Sequence, residues 1–499
     1  MARSASAPLA DLAALAGGAA LVTAFAPFGV AAAAFLSPAL LFALWLRDTP
    51  RQALRHGLLY GAGLFGFGVS WIHSSLTYFA DLHEGAAVAL TALFVALLAA
   101  FPAGLGYLFA RLAARASATA VLLFLPAAWT LLEWLRSRLF TGFPWLNLGY
   151  SQTDTALAGW APVAGVPGVG LLVVLVAAAL ALLAVRRRRQ DAARALLLGL
   201  LVWGGGLLLS GIDWTRPQGG AIEVALLQGN VAPEHKWRAE RRLDTEDLYM
   251  EMIESQLGRD LILLPETALP ELASEAASLL EAIRQEALEA GSAVLVGIPV
   301  DDEQTGHIHN GLIALGAASG SYYKRHLVPF GEYLPTTPAL AWLGRHLDTD
   351  WSDFSPGPRR QPPIRAAGVL VGATICYEDA FPAQAARAFP DAELLVNASN
   401  DAWFGRSMAP EQHLQISRML ALALGKPLLR AANTGVSAII GADGRLQASA
   451  GRFRKAVLEG RVTPRSGQTP YGRLGEGPVL AIAALSLLLA GLRRRPHPP

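Results

Sequence analysis

The sequence has little charge, few lysines and a single cysteine. Charged residues make up 16% of its 499 residues, whereas a soluble globular domain carries roughly 25%. Hydrophobic residues make up 53%, and the mean hydropathy is +0.37. The lone Cys376 excludes an intrachain disulfide and a metal site with several cysteine ligands. The formal net charge is only +2, without a basic stripe interleaved with aromatic residues, so we expect a membrane protein with no nucleic-acid partner.

Lysine is scarce even among the basic residues. Of the 41 lysines and arginines, only Lys236, Lys324, Lys426 and Lys455 are lysines. Arginine therefore supplies most of the positive charge, and its guanidinium does not exchange its proton in proteins. A lysine beside other reactive groups is accordingly a candidate for chemistry.

Long apolar segments predict a multi-pass helical membrane bundle of about eight helices, since a spanning helix needs roughly 20 mostly apolar residues. The predicted segments are 8–26, 29–46, 56–76, 86–110, 119–140, 166–185, 193–212 and the shorter 478–492. The first segment is typical of an anchor rather than a removed signal peptide. Arginines concentrate in the loops after the second, fourth, sixth and eighth segments. This asymmetry predicts cytoplasmic termini and a periplasmic region 213–477 at a bacterial inner membrane.

Region 213–477 alternates short apolar runs with amphipathic stretches, which indicates an α/β domain. The predicted strands are 221–228, 260–265, 293–299, 368–375, 393–398 and 436–441, and the predicted helices are 271–290 and 410–425. We therefore divide the chain into a transmembrane bundle of seven helices (1–212), an extracytoplasmic catalytic domain (213–477), and a C-terminal transmembrane helix with a basic cytoplasmic tail (478–499). The stretch 342–358 is rich in proline and glycine and is expected to form a lid or binding loop.

Three candidate reactive groups follow apolar runs, at positions where α/β domains place their sites. These are Glu266, Lys324 with Glu332 eight residues later, and Cys376. Each alone has an ordinary explanation: a surface glutamate at a turn, a hairpin with solvated charges, or an inert buried cysteine. Together they form an acyl-transfer set, because a thiol needs a base and a carbonyl under attack needs a cation. A glutamate beside the thiol can accept its proton, particularly if partial burial raises the pKa of the carboxyl group.

The local contexts of these residues carry a family resemblance. Pro265-Glu266, Lys324-Arg325-His326 and Cys376-Tyr377-Glu378, in this order, resemble the nitrilase superfamily of carbon–nitrogen hydrolases. The chain as a whole, with seven helices before that domain and one after it, resembles the bacterial apolipoprotein N-acyltransferases. Further similar segments are Gln228-Gly229-Asn230 with Trp237, 326–335, 400–405 and 142–145. The resemblance implies an α-β-β-α sandwich for the catalytic domain.

The resemblance also implies a two-step reaction without a metal or organic cofactor. Glu266 would deprotonate Cys376, which would take an acyl chain from a phospholipid, expected to be phosphatidylethanolamine, while Lys324 stabilises the oxyanion. The thioester would then acylate the N-terminal diacylglyceryl-cysteine amine of an apolipoprotein. The implied supporting residues are Glu332, Tyr377 and Glu378. The implied substrate-binding residues are Trp237, Asn400, Trp403 and Phe404.

Several aromatic residues are expected at the membrane surface. Trp145 and Trp160 have the placement of interfacial tryptophans. The apolar loop residues expected to dip into the interface and guide acyl chains are Trp342, Leu343, Trp351 and Phe354.

Two other functions remain open from the residues alone. The first is a membrane-anchored nitrilase-like amidohydrolase, which would use the same triad but transfer the acyl group to water. The second is a scaffold or transporter with a degenerate domain. The intact Glu266, Lys324 and Cys376 argue against degeneration, and Glu133 is the main candidate for a charge within the membrane helices.

Overall fold

The computed structural model describes residues 7–78, 83–113, 116–236, 238–333 and 354–492. The chain folds as two compact units. The first comprises Met1–Thr77, Leu82–Asp213 and Leu474–Pro499, and the second comprises Tyr78–Asp81 and Trp214–Arg473.

The first unit is helical, which confirms the predicted multi-pass bundle. Its helices are α1 (Ala7–Val22), α2 (Ala33–Trp45), α3 (Pro50–Gly68), α4 (Trp71–Tyr78), α5 (Glu84–Leu112), α6 (Ala118–Arg136), α7 (Ala161–Arg186), α8 (Arg189–Ser210) and the C-terminal helix Gly477–Leu492. Within the described ranges, four helices are long and apolar enough to cross a membrane: Glu84–Leu112, Ala118–Arg136, Ala156–Arg186 and Arg189–Ser210. Three apolar helices, α1, α2 and the C-terminal one, are shorter, so the count of eight spanning helices stays a prediction.

Local sequence explains where some predicted helix boundaries were wrong. Helix α3 begins at Pro50, six residues before the predicted start, because Thr49 and Gln52 form a capping box with proline in the first turn. Helix α7 contains a kink at Gly165, whose φ of +63° is readily available only to glycine. The predicted segment 166–185 corresponds to the part of α7 after this kink.

Polar side chains of α6 fix the chain that follows it. Glu133 accepts hydrogen bonds from Trp129 Nε1 at 2.9 Å and from the Leu148 amide at 3.0 Å. Arg136 donates to the carbonyls of Phe143 and Trp145, both at 2.8 Å. Trp145 is buried, so its ring does not face the lipid, and its place near the membrane interface stays a prediction.

Trp145 lies inside the first unit because other aromatic rings surround it. Its ring packs against Trp71, with the centroids 5.2 Å apart, and stacks on Phe143. Trp160 is partly exposed, and its indole N–H donates to the carbonyl of Val202 at 2.9 Å. Its interfacial role stays a prediction.

The second unit contains two mixed sheets. Its strands are β1 (Arg216–Pro217), β2 (Ile222–Gln228), β3 (Leu261–Leu263), β4 (Ala293–Asp302), β5 (His307–Gly316), β6 (Ala318–Ser319), β7 (Ser321–Tyr323), β8 (Ile364–Ala366), β9 (Val369–Ile375), β10 (Leu394–Ser399), β11 (Leu428–Ala432), β12 (Ser437–Ile440), β13 (Leu446–Ala450), β14 (Ala456–Val462) and β15 (Arg465–Ser466). One sheet has the order β14-β2-β3-β4-β5-β7, and β2, β3 and β4 are parallel. The other has the order β13-β12-β11-β10-β9-β8-β6, and β9, β10 and β11 are parallel.

Helices cover the sheets to give the predicted α-β-β-α sandwich. They are α9 (Pro233–Lys236), α10 (Arg242–Glu254), α11 (Ala277–Glu289), α12 (Pro382–Ala388), α13 (Ala409–Leu424) and α14 (Pro470–Leu474). Helices α10 and α11 enclose an apolar core with β2, β3 and β4, which includes Leu227, Tyr249, Ile262, Ile283 and Val296. Helices α12 and α13 contact the second sheet, and β2 contacts β11 between the sheets.

The apolar runs predicted the central strands correctly. All six predicted strands form, as does the helix predicted at 410–425. The helix predicted from residue 271 begins only at Ala277. The preceding segment instead runs beside β4, because the amides of Leu269 and Ala273 donate to the carbonyls of Gly297 and Pro299.

Candidate active site

The predicted catalytic residues lie just after three different strands. Glu266 follows β3, Lys324 follows β7 and Cys376 follows β9. The fold brings them together: Lys324 Nζ lies 3.0 Å from Glu266 Oε1, and the charges of both residues act on the Cys376 thiol. Residues separated by more than 100 positions in sequence therefore share one buried site.

A lysine joins two carboxylates in this site. Lys324 Nζ donates to Glu266 Oε1 at 3.0 Å and to Glu332 Oε1 at 2.9 Å. Asn310 Nδ2 donates to the same two oxygens, at 2.8 Å each. The amides of Asn400 and Val328 occupy the remaining carboxylate oxygens. We call Glu266, Lys324, Glu332 and Asn310 the lysine cluster.

The charges of Glu266 and Lys324 stabilise each other in the lysine cluster. Burial raises the pKa of Glu266, but Lys324, Asn310 and Lys236 together outweigh burial and hold that pKa below its usual value. A Glu266 pKa raised overall by burial, the condition that would favour it most as a base, is therefore not met. Burial lowers the pKa of Lys324, yet Glu266 and Glu332 raise it well above its usual value. Glu266 is consequently ionised at neutral pH and able to accept a proton.

The nucleophile has an unusual backbone conformation. Cys376 begins a short 3-10 turn directly after β9, and its φ of +52° lies in the left-handed region that non-glycine residues rarely adopt. Its carbonyl accepts hydrogen bonds from Asn397 Nδ2 at 3.0 Å and His413 Nε2 at 3.3 Å. Such a conformation costs about 1–3 kcal/mol and persists where the surroundings hold it. The two side-chain donors supply part of that support.

The Cys376 thiol needs a base. Burial raises the pKa of this thiol, and the nearby Glu266 carboxylate raises it further, while Lys324 acts in the opposite direction. The thiol is therefore protonated at rest, beside an ionised glutamate. Because only the thiolate is strongly nucleophilic, this arrangement suits general-base activation at the moment of reaction.

Glu378 ties the nucleophile to the lysine segment. Its carboxylate accepts hydrogen bonds from the amides of Ile375, Arg325 and His326, at 2.8–3.0 Å. It also accepts from the Tyr322 hydroxyl at 2.9 Å. These bonds connect the residue before Cys376 with the two residues after Lys324. Glu378 thus links the backbones next to Lys324 and Cys376, and its supporting role in the reaction stays a prediction.

A second buried charged cluster lies next to Cys376, at the same sheet as β9. Arg430 donates to Asp401 at 2.9 Å and to Asp379 at 3.3 Å, and His413 bonds to both aspartates at 2.9 Å. We call these four residues, all essentially inaccessible to solvent, the arginine cluster. Burial and Arg430 lower the pKa of His413, but Asp379 and Asp401 outweigh them and raise it.

The donor atoms of Cys376, Asp401 and His413 lie within 4.8 Å of one another, a spacing that could suit a metal ion. However, Arg430 already occupies both oxygens of Asp401, and both nitrogens of His413 bond to aspartates. A cation there would face the guanidinium. This donor set therefore does not fit a metal, and we derive no step through one.

The predicted substrate-binding residues occupy different surroundings. Asn400 contacts Glu266, the predicted base, through its backbone amide, which lies 2.9 Å from Glu266 Oε2. Phe404 is buried against the His413 ring, and Trp403 beside it is partly exposed. Trp237 lies outside the described residues. The substrate-binding roles of all four stay predictions.

Tyr377 and the predicted loop aromatics were also expected near the substrates. Tyr377 is partly exposed and packs edge-on against the rings of His326 and Phe381. Of the predicted loop aromatics, Phe354 donates its amide to the Glu332 carbonyl at 2.9 Å. Trp342, Leu343 and Trp351 lie outside the described residues.

Sequence reasoning missed four groups around the site. Asn310 and Arg430 each interrupt an apolar strand, which is the signal that could have revealed them, because buried polar groups require partners. Lys236 was recognised as one of few lysines but was not placed at the site. His413 lies on the buried face of α13, where its pairing with Asp379 depends on the tertiary fold.

Comparison with known proteins identifies the class of enzymes to which the two parts of the chain are similar. The model of the carbon-nitrogen hydrolase family matches residues 223–471, and that of the apolipoprotein N-acyltransferase N-terminal domain matches residues 17–179. A curated apolipoprotein N-acyltransferase from Methylococcus capsulatus is 45% identical over 488 residues, covering 97% of this chain and 96% of its own. That of Coxiella burnetii is 38% identical over 480 residues, covering 96% and 99%. The chain belongs to the apolipoprotein N-acyltransferase family.

Proposed function

We propose that this protein transfers a fatty acyl chain from a membrane phospholipid to the N-terminal amine of a diacylated apolipoprotein, through a thioester on Cys376. Its family membership and its apolar helices support an acyltransferase of a bacterial membrane. The observation that carries the mechanism is the lysine cluster beside the lone thiol. There, an ionised Glu266 and a cationic Lys324 lie 3.0 Å apart in a buried site.

In the first half-reaction, Glu266 takes the proton of the Cys376 thiol as the sulfur attacks the ester carbonyl. The electron pair of the carbonyl moves to oxygen, and Lys324 stabilises the resulting oxyanion in surroundings where charge interactions are strong. The oxyanion collapses and breaks the bond to the glycerol oxygen. That oxygen takes the proton from Glu266 and leaves as the lysophospholipid hydroxyl, while the acyl chain remains as a thioester.

In the second half-reaction, the neutral amine of the N-terminal diacylglyceryl-cysteine attacks the thioester. Glu266 accepts a proton from the attacking nitrogen, and Lys324 again stabilises the oxyanion. The sulfur leaves and regains a proton from Glu266, and an amide is formed. The energy of the original ester drives the sequence, so neither ATP nor an organic cofactor is required.

Membrane substrates determine where the reaction takes place. We infer that phosphatidylethanolamine is the donor and that the catalytic domain faces the periplasm, with both termini in the cytoplasm. The asymmetric distribution of arginines supports this orientation. A lipid donor and a lipid-anchored acceptor would both be reachable from the membrane surface.

An amidohydrolase would use the same groups but transfer the acyl group to water instead of an amine. Purified protein in phospholipid nanodiscs, given a synthetic diacylated lipopeptide, tests the difference, with Cys376→Ser as the matched control. We expect triacylated lipopeptide and lysophospholipid in equal amounts, and neither from the variant. Free fatty acid with unchanged lipopeptide would contradict the proposal and favour the hydrolase.

A further inference from the structure

A second lysine lies against the base. Lys236, at the end of α9, is 3% exposed. Its Nζ donates to the Glu266 carbonyl at 3.1 Å and to the Thr267 hydroxyl at 2.5 Å. Thr267 has a φ of +44°, which is strained for a β-branched residue. Lys236 thus holds the turn that presents Glu266.

The charge of the site shows why a second cation is needed. Glu266 and Glu332 both bond to Lys324, so the lysine cluster alone carries two negative charges and one positive charge. Two neighbouring carboxylates that share one cation do not both stay ionised readily, and one of them tends to take up a proton. Lys236 brings the total to zero.

Lys236 retains its proton near neutrality despite its burial. Burial lowers its pKa to about 8, against the opposing effect of Glu266 and Cys376. It is therefore mostly cationic at pH 7. The titratable groups that face the base are Lys236, Lys324, Glu332 and Cys376.

We propose that Lys236 is a positioning residue whose charge balances Glu332 and keeps Glu266 ionised as the base. The proposal rests on the acyl-transfer function, since it assigns Glu266 the role of proton acceptor. Without Lys236, Glu266 would hold its proton up to a higher pH. Acylation of Cys376 would then begin only at that higher pH.

The test is the pH dependence of Cys376 acylation in the full chain, followed by intact mass. Two acyl donors are used: phospholipid, and p-nitrophenyl butyrate, which needs no lipid site. The acid limb is the part of the pH–rate profile in which the acylation rate rises with pH. For Lys236→Met, we expect this limb to shift to higher pH by about one unit, which lowers the rate about tenfold at a given acidic pH. Lys236→Arg keeps the charge, and its limb should remain at the wild-type position even if its maximal rate falls.

Three controls separate charge from packing. Lys426→Met removes another buried lysine, whose Nζ bonds to the Arg465 carbonyl, and should leave the limb unmoved. Thr267→Val removes one partner of Lys236 but keeps its charge, and should also leave the limb unmoved. In Lys236→Met/Glu332→Gln the total charge returns to zero, so the limb should return towards wild type at whatever rate remains.

The possible outcomes distinguish the inference from the proposed function. An unmoved limb in Lys236→Met, an equal shift in Thr267→Val, or a double variant that stays shifted would overturn the role of Lys236. If Lys236→Met does not fold, Lys236→Gln with the same double-variant comparison replaces it. Acylation by the p-nitrophenyl ester but never by phospholipid would instead contradict the proposed donor, while the limb positions would still test Lys236.

Discussion

The lysine cluster and the arginine cluster are both buried, and each places two carboxylates around a cation, yet they differ in what they can do. Lys324 is a compact ammonium next to the Cys376 thiol, whose proton must move in the proposed reaction. Arg430 is a planar guanidinium that holds several partners in fixed directions and does not give up its proton. In the proposed function the lysine cluster performs the chemistry, and we expect the arginine cluster to hold Cys376 in its strained conformation.

The largest effect that separates the clusters should come from Arg430→Met. Removing one partner of a buried ion pair leaves uncompensated charge and costs about 3–5 kcal/mol. We expect the free energy of unfolding of the second unit to fall by that amount, measured by chemical denaturation in detergent. Arg445→Met, whose side chain is 86% exposed, is the control and should change it by less than about 0.5 kcal/mol. Equal stability of the two variants would contradict a structural role for the arginine cluster.

Lys324→Met tests the other cluster, and its effect should be on the acylation rate. Loss of the cation facing the oxyanion should slow acylation of Cys376 by about a hundred- to a thousandfold per folded molecule. Quenched-flow mass spectrometry measures this rate, with Lys426→Met as the buried-lysine control. Lys324→Arg should rescue little, because a guanidinium does not reproduce the ammonium geometry. A rate within threefold of wild type in Lys324→Met would remove Lys324 from the mechanism.

Glu378→Gln should have an intermediate effect. The substitution replaces one acceptor oxygen with an NH2 group that cannot accept, so either the amides of Arg325 and His326 or the amide of Ile375 lose their partner. We expect acylation to slow by about tenfold to a hundredfold, since small displacements of reacting groups are costly. Tyr322→Phe removes a single donor and should cost less. If both variants acylate at the wild-type rate, Glu378 does not position the site.

The smallest effect concerns His413 and pH. Its folded pKa is raised above the unfolded value of about 6.5, because the two aspartates outweigh burial and Arg430. Its contribution to stability is therefore fully present below pH 6.5 and is lost as pH rises through the folded pKa. The stability advantage of wild type over His413→Gln, about 1 kcal/mol at low pH, should shrink in that direction. An advantage that grows with pH would contradict a raised pKa of His413.

The sequence predicted those strands whose own apolar pattern is clear. The apolar runs that became β2, β4, β9 and β10 were recognisable because these strands are buried on both faces. Strand β5 was missed because His307, His309 and Asn310 interrupt its apolar pattern. Asn310 does so because it faces the lysine cluster.

In the candidate site, only the residues that lie in local sequence motifs could be predicted. Glu266, Lys324 and Cys376 stand in recognisable contexts, whereas the arginine cluster arises from pairing between strands. The parallel register of β10 and β11 sets Arg430 beside Asn397, and α13 adds His413. No local pattern encodes that register, so these contacts required the tertiary structure.

The central claim is that Cys376 carries the acyl group between the two substrates. Intact-protein mass spectrometry of the enzyme incubated with phospholipid tests it most directly. We predict a fatty-acyl increment on wild type that hydroxylamine and a diacylated lipopeptide both discharge, and no increment on Cys376→Ala. An unmodified wild-type mass alongside continued formation of triacylated lipopeptide would contradict the account, because the transfer would then bypass the cysteine.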